Sequence, residues 1–286
     1  MTGNAVSAKT WSETGNAPAG LQRIVPTARR RRLALPRPIR KLAGLVLLIT
    51  LWIVATSRGW IAFQLLPAPW DIWHAFTELL MKGELAQALL LSLRRVAIGF
   101  VIGFSAGLLL AIPAGLLRIG EDLIDAPVQM VRTMPWAGLV PLLLIWFGID
   151  EEPKIALVAL AVVFPIYFNL FAGIRNVDQG LVEAAQTLGF SRRELIMHVV
   201  LPGALPTALV GLRYALGSAW LALVFAEQVN SQGGLGYLVT FAREIYRTDI
   251  IVVCLVIYAL LGLAADFSVR LLEKGLLSWR PAFQAR

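Results

Sequence analysis

The sequence predicts an all-α membrane protein with six transmembrane helices, and three observations carry that prediction. Of the 286 residues, 58% are hydrophobic and only 15% are charged, against about 25% charged in an ordinary soluble domain. The apolar residues gather in runs close to the ~20 residues a helix needs to cross the hydrocarbon core. Nowhere does the chain show the repeated alternation of apolar and polar positions that marks barrel strands. Backbone groups in lipid must pair within their own segment, so apolar runs of this length fold as helices.

Residues 1–41 form a basic tail rich in Ala, Gly, Thr and Asn, a composition expected to stay disordered. Most of the net charge of +8 comes from here. The run Arg29-Arg30-Arg31-Arg32 suits anionic lipid headgroups beside a membrane span, rather than nucleic acid. A twin-arginine signal peptide is the rival reading. Pro36 and Pro38 follow the arginines, and no convincing small-x-small cleavage site follows the apolar run.

The six predicted spans are residues 42–61, 96–117, 129–147, 155–174, 209–229 and 250–271. Basic residues orient them. With the N-terminus inside, 18 of the 26 Lys and Arg fall in cytoplasmic segments and five in outside loops. Both termini, including the tail 273–286, are thus expected in the cytoplasm. Asp150, Glu151 and Glu152 then lie outside. Trp60, Trp70, Trp73 and Trp146 lie near outer span edges, where indole rings favour the interface.

Span two carries Gly99, Gly103, Gly107, Ala111 and Gly115, each four apart. That spacing puts small residues on one helix face, where another backbone can approach. The partner is either another span of the chain or a second copy. Span three contains Pro135 and Pro141 and is the one most open to interruption. Pro113 and Pro165 kink or irregularly pack their helices. Cys254, inside span six, is the single cysteine, so no internal disulfide forms. His74 and His198 give no metal-ligand cluster, and no Gly-x4-Gly-Lys-Ser/Thr loop is present to cradle a nucleotide. No catalytic constellation and no cofactor site is expected on this chain.

Between spans four and five lies a polar island. Asp178 can cap a helix over 179–188, and Gly189 follows where a left-handed residue ends it. Ser191-x-x-Glu194 is a capping box opening a second helix, which Pro202 and Pro206 are expected to limit. Leu181, Ala184, Ala185 and Leu188 form an apolar stripe, with Glu183, Arg192, Arg193 and Glu194 around it. The segment is predicted to be a stiff cytoplasmic hairpin able to dock in a groove of a soluble partner. The plainer reading is a structured connector.

Glu183-Ala184-Ala185-x3-Gly189-x9-Val199-x-Leu201-Pro202 resembles the EAA signature of membrane subunits of binding-protein-dependent ABC importers. Val199 stands where the pattern usually has Ile. Ser92-Leu93-x-Arg95-Val96, Pro141-x4-Trp146-Phe147-Gly148, Phe164-Pro165-Ile166-Tyr167-x-Asn169, Ala226-Glu227 and Gly234-x-Gly236-Tyr237 are similar to the nitrate/sulfonate/taurine branch. Within that branch, the stretch Gly83 to Trp279 looks most like aliphatic sulfonate permeases. The resemblance implies a type I importer permease fold, with a permease domain over 83–272. It also implies that the hairpin over 178–202 is a coupling helix seated on an ATPase subunit. Glu183, Ala184, Ala185, Gly189, Ser191, Arg192, Glu194, Leu201 and Pro202 would be its working residues. The implied partners are two ATP-binding cassette subunits, a second copy of this chain and an external solute-binding protein, with ATP held by the cassette subunits.

An anion pathway should avoid carboxylates and offer donors, which singles out Arg132, Trp136, Asn169 and Ser218. Arg132 also reads as an anchor at the cytoplasmic edge, and Asn169 as a helix–helix hydrogen bond. Glu227 and Asp266 are acids near span ends, where interfacial placement is the plainer account. The rival class is a gradient-driven secondary transporter, which normally shows mid-span acids and matched half-repeats. Taurine and nitrate-type anions share the architecture expected for a sulfonate.

Overall fold

The computed structural model describes residues 37–279 except Asn230. The chain runs α1 (Arg37–Ser57), α2 (Pro69–Met81), α3 (Glu84–Leu116), α4 (Arg118–Gly120), a π segment (Glu121–Asp125), α5 (Ala126–Arg132), a 3-10 turn (Trp136–Leu139), α6 (Val140–Phe147) and α7 (Glu152–Arg175). Then come α8 (Gln179–Thr187), α9 (Arg192–Leu195), a π segment (Ile196–Val200), α10 (Leu201–Val229), α11 (Leu235–Glu244) and α12 (Thr248–Leu276). Residues 1–36 of the predicted tail, with Arg29–Arg32, lie outside the described residues, and residues 37–41 belong to α1.

Four helical runs among the described residues are long and apolar enough to cross a membrane: α3, α7, the continuous run Arg192–Val229 and α12. Predicted span one falls on α1, whose described apolar stretch is Val46–Ser57. Predicted span three is not one helix. It breaks into α5 and α6 around Thr133–Leu139. Pro135 and Pro141 each lack the N–H that would carry the helix through.

The glycine stripe of α3 meets α7 of the same chain. A Cβ added at Gly99 would fall 2.7 Å from Val158 Cβ, and one at Gly107 would fall 2.8 Å from Ile166 Cβ. At Gly103 it would strike the Ala159 carbonyl. Gly211 of α10 packs on α7 in the same way, against Asn169 and the Pro165 carbonyl. Small residues thus let α3 and α10 close on α7 from two sides, the packing mode that works in lipid. Val158, Val162, Ala215, Ala219 and Leu223 fill the space between these helices. A second cluster, including Leu79, Leu85, Leu235 and Val253, joins α2, α3, α11 and α12. Trp60, Trp70, Trp73 and Trp146 are all exposed, as interface residues should be.

Chain order fixes which features share an end. The hairpin over 178–202 links the end of α7 to the start of α10. The loop before α7, the end of α10 and the start of α3 meet at the other end, where Arg95 contacts Glu151 and Glu227. About 36 Å of α7 separates the two, at 1.5 Å per residue.

Candidate functional site

The hairpin is built as its capping residues dictate. Asp178 Oδ1 accepts a 2.8 Å hydrogen bond from Gly180 N and starts α8. The helix ends in a Schellman turn: Gly189 N donates to Gln186 O at 2.9 Å and Phe190 N to Ala185 O at 3.1 Å. Gly189 takes φ +84° there, and nothing lies within 4 Å of a Cβ built on it. Only the backbone, and not crowding, demands glycine.

Ser191 then opens α9. Glu194 N donates to Ser191 Oγ at 3.4 Å, and Ser191 N donates to Glu194 Oε2 at 2.8 Å. This reciprocal capping box spans two orphan donors with two side chains. The rings of Phe190 and His198 meet edge-on at 6.2 Å across the turn.

Pro202 and Pro206 do not limit the second helix, contrary to the sequence expectation. Helix runs unbroken from Arg192 to Val229. The π segment Ile196–Val200 stands just before Pro202. Its wider turn changes the bonding pattern where Pro202 supplies no N–H. The hairpin's second limb is therefore one rod with α10.

Of the predicted apolar stripe, only Ala185 is buried against the chain. Leu181 is 59% exposed and Leu188 is 78% exposed, and Ala184 is exposed beside them. Glu183, Arg192 and Arg193 are also exposed, and none forms an ion pair among the described residues. Leu201 and Pro202 are half-buried at the root. The result is a rigid knob whose apolar tip has no cover from its own chain. Arg175 Nη2, 2.6 Å from Glu121 Oε2, ties the root to the segment after α3.

The pathway candidates Arg132, Asn169 and Ser218 lie on α5, α7 and α10. Arg132 lies exposed at the end of α5, its guanidinium carbon 4.5 Å from the centre of the Phe168 ring. Asn169 Nδ2 donates to Pro165 O at 2.8 Å within its own helix, so it does not bridge helices by hydrogen bond. Ser218 is half-buried on α10. The side chain of Trp136 lies outside the described residues.

The structure adds a charge network that sequence reasoning missed. Glu227 is enclosed by the chain itself: it is 1% exposed, and Arg95 is 2% exposed. Arg95 Nη1 donates to Glu227 Oε1 at 2.7 Å and to Gly233 O at 2.7 Å. Ser92 Oγ donates to Glu227 Oε1 at 2.8 Å, and Gly236 N to Glu227 Oε2 at 2.8 Å. The other edge of the guanidinium, Nε and Nη2, grips both Glu151 oxygens at 2.6 Å. That hydrogen bond from Arg95 holds the Glu151 carboxyl below the usual carboxylate range. One arginine thereby joins α3, the loop before α7, α10 and the α10–α11 loop. Ser92, Arg95, Glu227 and Gly236 stood in motifs of the resemblance and Glu151 and Gly233 did not, and nothing local said that they meet. Asp266 is likewise paired, with Arg213 Nε at 3.1 Å and Arg270 Nη2 at 2.7 Å.

Comparison with known proteins supplies the context for this geometry. Residues 99–278 match the family described as binding-protein-dependent transport system inner membrane component. The aliphatic sulfonates transport permease protein SsuC of Escherichia coli is 48% identical over 239 residues, covering 84% of this chain and 91% of that protein. Its namesake in Bacillus subtilis is 42% identical, covering 83% and 86%. A solved amino acid ABC transporter with histidines superposes at a TM-score of 0.59 and 16% identity, covering 70% of this chain and 97% of that one. That likeness shows a shared fold. The chain therefore belongs to the family of binding-protein-dependent inner-membrane transport components: it is a multi-pass ABC importer permease subunit that works with a solute-binding protein and separate ATP-binding subunits.

Proposed function

We propose that this permease moves aliphatic sulfonates into the cell, as two copies of the chain seated on two ATP-binding cassette subunits. Each copy places its 178–202 hairpin in a groove of one cassette subunit. The observation that carries this reading is the exposed apolar tip of Leu181, Ala184 and Leu188 on a doubly capped turn, continuous with α10. A knob of that kind wastes exposed apolar surface unless a partner covers it. The substrate class is supported by the 48% identity to a relative named for aliphatic sulfonates.

In this reading the hairpin, with both termini, faces the cytoplasm, as the basic residues favour. The Arg95 network faces the solute-binding protein. ATP binds on the cassette subunits and draws the two hairpins together. The rod Arg192–Val229 carries that motion to the far end, and the pathway between the copies opens alternately to either side. Nucleotide and solute then bias one two-state element.

The experiment is uptake of radiolabelled ethanesulfonate into vesicles carrying the permease, its cassette subunit and its binding protein. Uptake should need ATP, stop with vanadate and survive a protonophore. Uptake driven by a proton or sodium gradient without ATP overturns the reading. Transport of taurine or nitrate in place of ethanesulfonate would keep the mechanism and reassign the solute.

A further inference from the structure

We infer that the cleft beside Arg95 is an anion site, filled in this structure by the chain's own Glu151 carboxylate. A small sulfonate or carboxylate solute takes that place when the loop before α7 moves aside. The inference rests on the proposed reading of the chain as an organic-anion permease, and it names a site for the solute at the end opposite the hairpin.

Arg95 has two unlike edges. Nη1 faces Glu227, Ser231 and the Gly233 carbonyl. Glu227 is further held by Ser92 and Gly236 N, and it is fully enclosed. That side is a fixed support. Nε and Nη2 form the other edge, the parallel pair of N–H donors that fits a planar or tetrahedral oxyanion. Its occupant, Glu151, is 48% exposed. Among the described residues only Arg95 and Lys154 hold its carboxylate. Glu151 follows Gly148 closely, and Gly148 takes φ +83°, a left-handed bend at the root of the loop.

A second cation stands beside the first. Lys154 is buried, with Nζ 3.7 Å from Glu151 Oε1 and 2.6 Å from the Asp150 carbonyl. An ammonium has three donors, so one bond to Asp150 leaves two for the cleft. Arg95, Lys154, Glu151, Asp150, Gln232 and Gly233 are among the residues lining a cleft of about 240 Å³. That is several times a water's share of liquid volume, about 30 Å³. Were Glu151 to leave, Glu227 would balance one of the two buried cations, and the other would keep only the solvent-exposed carboxylate of Asp150 nearby. A buried cation without a partner is costly, so an anion is drawn in. A sulfonate offers two oxygens to the guanidinium and a third to Lys154. The Arg95–Glu227 side is enclosed. The Glu151 side is open, which permits exchange.

The test uses the full chain with its cassette subunit in nanodiscs, without binding protein, and measures equilibrium binding of radiolabelled ethanesulfonate. Glu151→Gln removes the competing charge from an exposed loop residue and should bind at least tenfold tighter than wild type. Adding Lys154→Met should abolish the gain. Unlabelled methanesulfonate and acetate should compete, and the neutral ethyl methyl sulfone should not. Unchanged affinity in Glu151→Gln overturns the inference. So does a gain that survives Lys154→Met, or equal competition by the sulfone. If wild-type vesicles take up no sulfonate while Glu151→Gln gains the tight, charge-selective binding, the site stands and the proposed solute falls.

Discussion

Glu227 Oε1 accepts a 2.7 Å bond from Arg95 Nη1 across 132 residues of sequence. The pair joins the start of α3 to the end of α10 in a place where neither residue meets solvent. Removing one partner of such a pair leaves a bare buried charge, at a cost of about 3–5 kcal/mol. Arg95→Ala and Glu227→Ala should each lower the thermal midpoint of the detergent-solubilised protein. The apolar double replacement Arg95→Met with Glu227→Leu should recover much of the loss. A double loss equal to the sum of the two single losses would show that the charges do not act as a pair.

Packing along α3 makes a second prediction. At Gly103 a side chain meets the Ala159 carbonyl, which belongs to backbone and cannot turn away. Gly103→Val should cost about 1–3 kcal/mol or more, seen as lower folded yield and an earlier thermal transition. Gly217 lies on α10 with nothing within 4 Å of its missing Cβ. Gly217→Ala should leave stability unchanged or raise it by up to about 1 kcal/mol.

Much of this was legible beforehand, for identifiable reasons. Asp178, Gly189 and Ser191-x-x-Glu194 act on their own neighbours, so sequence spacing alone predicts the turn they form. The glycine stripe declared a close contact, but not with whom, because a helix face carries no address. Pro202 and Pro206 misled: Pro202 follows the π segment, and Pro206 sits inside α10 as Pro113 and Pro165 sit inside α3 and α7. A π segment leaves no simple mark in sequence. Glu227 misled for another reason. An acid at a span end is ordinary, and what buries it is the return of Gly234–Gly236 over the end of α10 together with Ser92 and Arg95 from far back in the sequence.

Gly189 should tolerate residues by backbone and not by size. Asn visits the left-handed region readily, whereas other side chains lose about 1–2 kcal/mol there. Gly189→Asn should keep near-normal stability and transport. Gly189→Val, with a branched side chain at φ +84°, should misdirect the second limb while the protein still inserts and folds. Normal transport by Gly189→Val would show that the left-handed turn is dispensable.

Acid should loosen the end that carries Glu151. Its carboxyl sits below the ordinary range because Arg95 hydrogen-bonds the charged form. Glu78, held by hydrogen bonds first from Lys82 and then from Arg247, shifts the same way. A depressed folded value contributes stability above the unfolded value, near pH 4.3, and loses it as pH falls through the folded value. Thermal midpoints should therefore drop as pH falls below about 4.3. The drop should be smaller in Glu151→Gln with Glu78→Gln. An unchanged acid limb in that variant would assign it to other groups.

The hairpin as force-transmitting element is the central claim, and ATP hydrolysis in proteoliposomes containing the permease, its cassette subunit and its binding protein tests it most directly. Loaded binding protein should stimulate hydrolysis in wild type. In Glu183→Ala combined with Gly189→Val, stimulation and uptake should vanish while membrane insertion and the thermal midpoint of the bundle hold. Wild-type stimulation and uptake in that double variant would remove the hairpin from the mechanism.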